Sequence, residues 1–545
     1  MDTDLCAVAP SPQLRERLRQ RLRVLRDGAD VPVALAGEPR LPGFNDGTIL
    51  PPSRFAPGTP LRDVRRAAVD RAPLRGEVRV LVVLVDFPDK HFDVDTSRFE
   101  QLFFSTGKLA TGSVREYYDE VTGGLVTVTG QVVGPFTMPQ PLSWYANGNY
   151  GIGKPSGEPR ANVLAQDAVK AADPSVDLAP YDNDGNGYVD AFVVVHAGRG
   201  GEETGDPGDI WSHKWVLPEE YAADGAKVYA YLTIPEDAKL GVSAHELGHL
   251  LFGFPDLYDI DYSSEGIGDW CLMAGGSWNG GGDTPAHPSA WCKAQQGWVD
   301  VVPVTADADL ELADVKQGRS VHRLWTDGAA GQEYFLLENR QQTGFDAQLP
   351  GGGLLVWHVD ESKESNEDEN HYLVALVQAD GSRDLENDVN RGDAADPYPG
   401  SAGNTAFTAT SVPASTGYSG QDSLVAVTAV TDRGDGTVSA HVSVHAQGGP
   451  PDDGGGLEQR VAALEARLAA LEDAVARGGQ ALAGSASGTG SGVPRHHTTR
   501  RSSAPGSRNG QGPADAVNAG LAAAARAARD LVTEVQQQWS PRRRT

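Results

Sequence analysis

The chain is poor in sulfur. Cys6, Cys271 and Cys292 are its only cysteines, and it has only three methionines in 545 residues. A disulfide scaffold therefore does not support the fold. Cys271 and Cys292 are the pair an oxidising compartment would join, which leaves Cys6 odd. Basic residues are scarce as well, with 46 Lys and Arg against 74 Asp and Glu and a net charge of −28. Neutralising phosphates needs clustered cations, so this balance argues against a nucleic-acid partner. Long apolar runs are also missing. None approaches the roughly 20 residues that span a bilayer. The opening "MDTDLCAVAPSPQLRERLRQRLRVLRDG" has no apolar core of a signal peptide, so the residues themselves give export no support.

What is present divides the chain by texture. Residues 1–76 have a basic amphipathic pattern from Leu14 to Leu25 and then a Pro- and Gly-rich connection, a prosegment-like region. From Glu77 to Asp89 a β-branched run predicts a buried strand. Helices are expected near Ser97–Ser105, near Ser113–Val121 with Ser113 and Glu116 as a capping box, and near Arg160–Ala172. Strands are expected in "LVTVTGQVVGPFTM" and "AFVVVHAG", so 77–302 reads as an α/β domain. Alternating strands then predict a mostly β domain over 303–445, followed by a linker at 446–456. Heptad spacing of Leu457, Val461, Leu464, Leu468, Leu471 and Val475 predicts a short coiled coil at 457–477, with weak self-association through it. Residues 478–545 read as a low-complexity, disordered tail with an Ala-rich helix from Ala514 to Trp539.

The chemistry concentrates in "HELGH". Residues four apart share a helical face, so His245 and His249 can turn their imidazoles to one metal. Glu246 projects beside them, placed to act as general base on a zinc-held water. The third ligand is less direct. The usual count is H-E-x-x-H-x-x-G, but here Gly253 comes one residue late. Asp256, Asp259 and Glu265 compete for the role. Glu265 lies in "DYSSEGIGD", which has no helical pattern.

A second constellation is "DNDGNGYVD". Asp182, Asp184, Asn186, the carbonyl of Tyr188 and Asp190 match the first nine positions of a calcium loop. Val193 stands where the twelfth-position Glu would be, so the alternative is a polar turn before a strand. Asp388, Asn390, Asp393 and Asp396 form a weaker cluster. Cys6 reads either as an ordinary cysteine at a mobile terminus or as a thiolate that caps the zinc. His196, His213 and His287 are polar candidates that more often serve structure.

The stretches "AHELGHLLFGFPDLYD", "GDWCLMAGGSWNG" and "EYFLLENRQQTGFDAQLPGGGLLVWHVDE", with "YDNDGNGYVDAFVVVHAGRG" and "DIWSHKW", resemble the immune inhibitor A-like family of secreted zinc metallopeptidases. The resemblance covers about residues 77–445. It implies a metzincin-like fold, with Asp256 of the G-x-P-D turn as third zinc ligand and Met273 in a methionine turn beneath the metal. It selects Asp256 because "PDLYD" keeps the family spacing from Gly253, which makes Asp259 an outer residue or a cap. The expectation is a zinc-dependent endopeptidase acting on protein or peptide substrates, with a structural Ca²⁺. The rival from another class is a catalytically silent, calcium-dependent scaffold. The family points to an extracellular location, whereas the absent signal segment leaves a cytoplasmic one as the alternative.

Overall fold

Strand-forming apolar runs dominate the first half of the chain, and they assemble into one mixed sheet. The structure is a computed structural model that describes residues 5–17, 50–56, 59, 72–154 and 156–445. These residues belong to the unit Met1–Asp453. The coiled-coil and tail readings, the linker and residues 18–25 of the basic helix lie outside the described residues.

The sheet contains β1 (Cys6–Ala7), β2 (Gly76–Asp86), β3 (Val126–Thr137), β4 (Phe192–His196), β5 (His213–Ala223) and β6 (Ala226–Pro235), in the order β1-β5-β6-β4-β2-β3. The pairs β3–β2, β2–β4 and β4–β6 are parallel, whereas β5 runs antiparallel to β6 and β1 antiparallel to β5. Val80 to Val85 of β2 are buried without a break. A parallel strand covered on both faces needs such a run rather than an alternating one.

Helices α1 (Ser97–Phe104), α2 (Val114–Thr122) and α3 (Ala161–Ala172) fall where spacing and capping predict them. On α2 the capping box closes in both directions between Ser113 and Glu116. Helix α4 (Leu240–Phe252) packs against β1, β5 and β6 and is buried throughout, which explains its near-continuous apolar sequence.

Helix α5 (Ala290–Gln295) leads into a β region. There β7 (Asp300–Pro303), β9 (Ser320–Leu324), β10 (Glu333–Arg340), β11 (Gly353–Asp360) and β12 (Val374–Leu376) form a five-stranded sheet. A three-stranded sheet holds β8 (Ala308–Leu312), β13 (Ala426–Asp432) and β14 (Val438–Ser443). The main core runs from Leu5 through the first sheet to Leu336, Trp357 and Leu385, and a smaller one gathers Leu337, Val356, Phe407 and Val438. Polar groups cross between α5 and β10. Lys293 is ion-paired to Glu338, Arg340 is paired to Asp346, and Asp346 accepts the His287 amide at 2.9 Å. Arg340 and its neighbours hold the Asp346 carboxyl far below the usual carboxylate range despite its burial. Cys271 and Cys292, the two that an oxidising compartment could join, are buried thiols in contact with one another.

Candidate metal centre

Helix α4 ends in a turn that only glycine makes without strain. Gly253 has φ 66°, and its N–H donates to the His249 carbonyl at 3.0 Å, while Phe254 N–H returns to Gly248 at 3.2 Å. The extra residue found in the sequence is absorbed inside the helix, which continues to Phe252. The turn then carries Phe254, Pro255 and Asp256 back under the last helical turn. A Cβ on Gly248 would lie 2.8 Å from Met273 Sδ, so the methionine sits directly beneath the helix between the two histidines.

Each imidazole is oriented from behind. His245 Nδ1 donates to the Leu272 carbonyl at 2.9 Å, and His249 Nδ1 to the Phe254 carbonyl at 2.5 Å. A carbonyl can only accept, so Nδ1 carries the proton in both rings and each Nε2 presents a lone pair. Those two Nε2 atoms are 3.0 Å apart, and Asp256 Oδ1 is 3.1 Å from each. Three acceptors thus converge, and neither oxygen of Asp256 has a hydrogen-bond donor. Lone pairs pressed together in a buried site call for a cation. A nitrogen–nitrogen–oxygen set at this spacing suits Zn²⁺.

Glu246 is fully buried beside this triad, and both of its carboxylate oxygens lack a hydrogen-bond partner. Burial, and then the nearby Asp256 charge, push its carboxyl well up. The Val8 amide lies close but donates to the Ser212 carbonyl, at 3.1 Å.

The competing ligands are engaged elsewhere. Asp259 Oδ2 accepts from Ser264 N at 2.9 Å, Ser264 Oγ at 2.7 Å and Ser263 Oγ at 2.9 Å, so it caps its own loop. Glu265 pairs with Arg15 at 3.0 Å. His213 bridges the Trp211 carbonyl and Tyr231 hydroxyl, at 2.6 and 2.8 Å, and burial takes it down to about 4. His196 donates to its neighbour's carbonyl, and His287 binds Glu120 at 2.9 Å. Each of the three is tied into the surrounding fold by these bonds.

At the second constellation the structure brings Asp182, Asp184 and Asp190 together, with oxygens within 4.8 Å of one another. The loop's own amides use most of these oxygens. Gly187 N donates to Asp182 Oδ2 at 2.9 Å, Asn186 N to Asp184 Oδ1 at 3.0 Å and Asn183 N to Asp190 Oδ2 at 2.6 Å. Asp182 Oδ1 is buried without a partner. Asn186 turns its side-chain oxygen to the Tyr188 amide, at 2.8 Å. In the weaker cluster, Asn390 bridges Asp384 and Asp393, Asp396 accepts from Trp270, and Asp388 pairs with Arg15.

Residues 5–11 were expected in a prosegment-like region, with Cys6 either at a mobile terminus or capping the metal; they are buried, and Cys6 lies beside His249 and Asp256. Trp211, Tyr258 and Trp278, which hold them, carry no local signal.

Two convergent histidines, a carboxylate and an adjacent buried glutamate on one helix define the class of metal-dependent peptidases built on H-E-x-x-H. Residues 72–301 match the family model "Immune inhibitor A peptidase M6, catalytic domain". Immune inhibitor A of Bacillus thuringiensis subsp. alesti is 37% identical over 269 residues, covering 38% of this chain and 38% of that protein. The pre-pro-metalloprotease PrtV of Vibrio cholerae serotype O1 is 31% identical over 271 residues, 39% of this chain and 29% of that protein. Residues 72–301 are thus similar to the catalytic domain of the immune inhibitor A-like metallopeptidases. The match spans well under half the length of these curated relatives.

Proposed function

We propose that the chain is a zinc-dependent endopeptidase whose metal is held by His245, His249 and Asp256, in a metzincin-like catalytic domain over 77–302 followed by the β-rich domain 303–445. The observation that carries this reading is the meeting of three proton-less acceptors at 3.0 and 3.1 Å in a fully buried pocket. When bound, zinc supplies Lewis acidity, polarising a carbonyl and bringing the pKa of water to about 7. Glu246 takes the proton of the attacking water on its unpartnered carboxylate and then delivers it to the leaving amine nitrogen. The backbone carbonyls of Leu272 and Phe254 keep both imidazoles in the correct tautomer, and Met273 supports the helix from below. A protein substrate lies extended against the β5 edge. Metal analysis and hydrolysis of an unfolded protein such as casein test the reading. About one zinc per chain is expected, with hydrolysis lost to a zinc chelator and restored by zinc. A chain without zinc, or hydrolysis indifferent to the chelator, would overturn it.

The loop carboxylates of Asp182, Asp184 and Asp190 form a structural calcium site in this reading, with Asn186 and Tyr188 shaping the turn. The buried, unpartnered Asp182 Oδ1 favours it. A catalytically silent scaffold is the weaker account, because it leaves the buried Glu246 carboxylate without a role. The family resemblance points to an extracellular site of action. No helix among the described residues is long and apolar enough to cross a membrane.

A further inference from the structure

The three converging acceptors are not fixed in the same way. Each histidine is aimed by a hydrogen bond from its own ring, His245 Nδ1 to the Leu272 carbonyl and His249 Nδ1 to the Phe254 carbonyl. The Asp256 carboxylate has no such bond, yet its Oδ1 stands 3.1 Å from both Nε2 atoms. Its place therefore comes from the backbone alone. Leu257, the next residue, is held on both of its peptide groups. Its N–H donates to the Met273 carbonyl at 2.7 Å, and its carbonyl accepts from the Ile267 amide at 3.1 Å and from Asn366 Nδ2 at 2.9 Å.

Asn366 comes from elsewhere in the chain. It lies in the connection between β11 and β12, beyond residue 301, where the match to the catalytic-domain model ends. Its side chain is buried. Nδ2 also donates to the Val374 carbonyl at 2.8 Å, and Oδ1 accepts the Val374 amide at 3.1 Å. Carbonyls only accept, so one orientation of the carboxamide satisfies all three bonds. Two of them close its own loop, and the third reaches the residue beside Asp256. Neighbouring side chains brace the same segment. Tyr372 Oη donates to Ser264 Oγ at 2.7 Å, and Arg391 Nη2 to the Gly275 carbonyl at 2.6 Å. The β region also reaches His245, because Asp346 accepts the His287 amide and the His287 carbonyl accepts the Leu272 amide, at 2.9 and 3.2 Å.

We propose that Asn366 is a positioning residue for the third metal ligand, so that the β region completes the centre which α4 and its turn begin. The proposal rests on reading His245, His249 and Asp256 as a metal centre. Asn366 touches neither ion nor substrate. It fixes the Leu257 carbonyl, and with it the backbone that aims an otherwise unsupported carboxylate. Outer partners of this kind are typically worth 10- to 100-fold in metal affinity.

The test uses the full chain with Asn366→Ala and Asn366→Asp. The aspartate keeps an acceptor for the Val374 amide but offers Leu257 no donor. Asn404→Ala is the matched control. Asn404 Nδ2 likewise bridges two carbonyls, of Ala379 at 2.6 Å and Val412 at 3.3 Å, and its Oδ1 accepts the Ala406 amide at 3.0 Å. Competition with a chromogenic chelator should show both Asn366 variants binding zinc roughly 10- to 100-fold more weakly than the wild type. Their cobalt(II) forms should differ from the wild type in visible absorption. The Asn404 variant should keep the wild-type zinc affinity and cobalt spectrum, even if it melts lower. Wild-type affinity and spectrum in the Asn366 variants, or an equal loss in the Asn404 variant, would overturn the proposal. Coupling is reciprocal, so zinc must also steady the Asn366 contact in the unaltered chain. Zinc loading should slow hydrogen exchange at the Val374 amide roughly tenfold or more beyond its effect at the Ala406 amide. Equal slowing at the two amides would overturn the proposal even where no Asn366 variant folds. A wild type that takes up no zinc would instead remove the metal centre itself, and this inference with it.

Discussion

The metal centre and the Asp182–Asp190 loop both gather carboxylates, but they differ in what those carboxylates touch. At the centre, Asp256 has no hydrogen-bond donor and faces two imidazole lone pairs. In the loop, one oxygen each of Asp182, Asp184 and Asp190 already holds a backbone amide, at 2.9, 3.0 and 2.6 Å. The loop can therefore fold as a turn with its cation removed, whereas the centre without an ion keeps acceptors facing acceptors. A cluster of acids indicates an ion most strongly where the protein has withheld every other partner.

The sharpest way to break this contrast is Asp256→Ala. It leaves two imidazoles, which hold Zn²⁺ far less tightly than three ligands do, so the purified variant should lose its metal and its activity together. Asp259→Ala, whose carboxylate is spent on Ser263 and Ser264, should keep its zinc. Metal analysis of the two variants decides between them, and the reverse ranking would move the ligand to Asp259.

Next in size is Glu246→Gln. Zinc content should be unchanged while turnover falls by roughly 10²–10⁴, because proton transfer to the amine is lost. A glutamine variant that retained most of its activity would take Glu246 out of the mechanism.

The loop should respond more modestly. At calcium about 100-fold above its Kd, the wild type should gain roughly 2.7 kcal/mol, read as a rise in melting temperature. Asp184→Ala with Asp190→Ala should abolish that rise. The double variant should also melt lower in chelator, by about 1 kcal/mol for each amide hydrogen bond removed. Equal melting of the wild type in calcium and in chelator would make the loop a turn and nothing more.

Much of the fold was legible because it is local. The unbroken apolar run of β2, the Ser113–Glu116 box and the spacing of α3 each carry their structure within a dozen residues. At the centre, the i, i+4 histidines are likewise a local pattern, and Gly253 marks the turn that brings Asp256 back. The burial of residues 5–11 was not legible, since "LCAVAPS" is anchored only when the β5 edge, some 200 residues later, is there to pair with Cys6 and Ala7. Trp211, Tyr258 and Trp278 are ordinary core aromatics by sequence, and their hydrogen bonds to the carbonyls of Val8, Ala7 and Ala9 depend on that same long-range pairing. Cys271 and Cys292, by contrast, do meet in the core as the sequence allowed, and they meet as thiols.

Glu202 shows a third answer to burying a carboxyl, neither cation nor amide alone. It accepts from Ser212 N at 3.0 Å and Ser212 Oγ at 2.6 Å, yet burial still outweighs these bonds and raises it to about 7. The folded chain therefore prefers this acid protonated, while the unfolded chain ionises it near its model value of 4.5. Between those two values the folded state holds the Glu202 proton more tightly, so the contribution of Glu202 to stability falls as pH rises from about 4.5 through about 7 and then levels off. The size is on the order of a few kcal/mol for a shift of this kind. Asp259 and Asp396, also raised to about 7 by burial, add to the same slope. Glu202→Gln keeps an acceptor for Ser212 but cannot titrate, so its stability curve from denaturant melts should fall less steeply than that of the wild type across this window. An unchanged slope would mean that Glu202 stays ionised and that the two Ser212 donors suffice, placing it with the loop aspartates rather than apart from them.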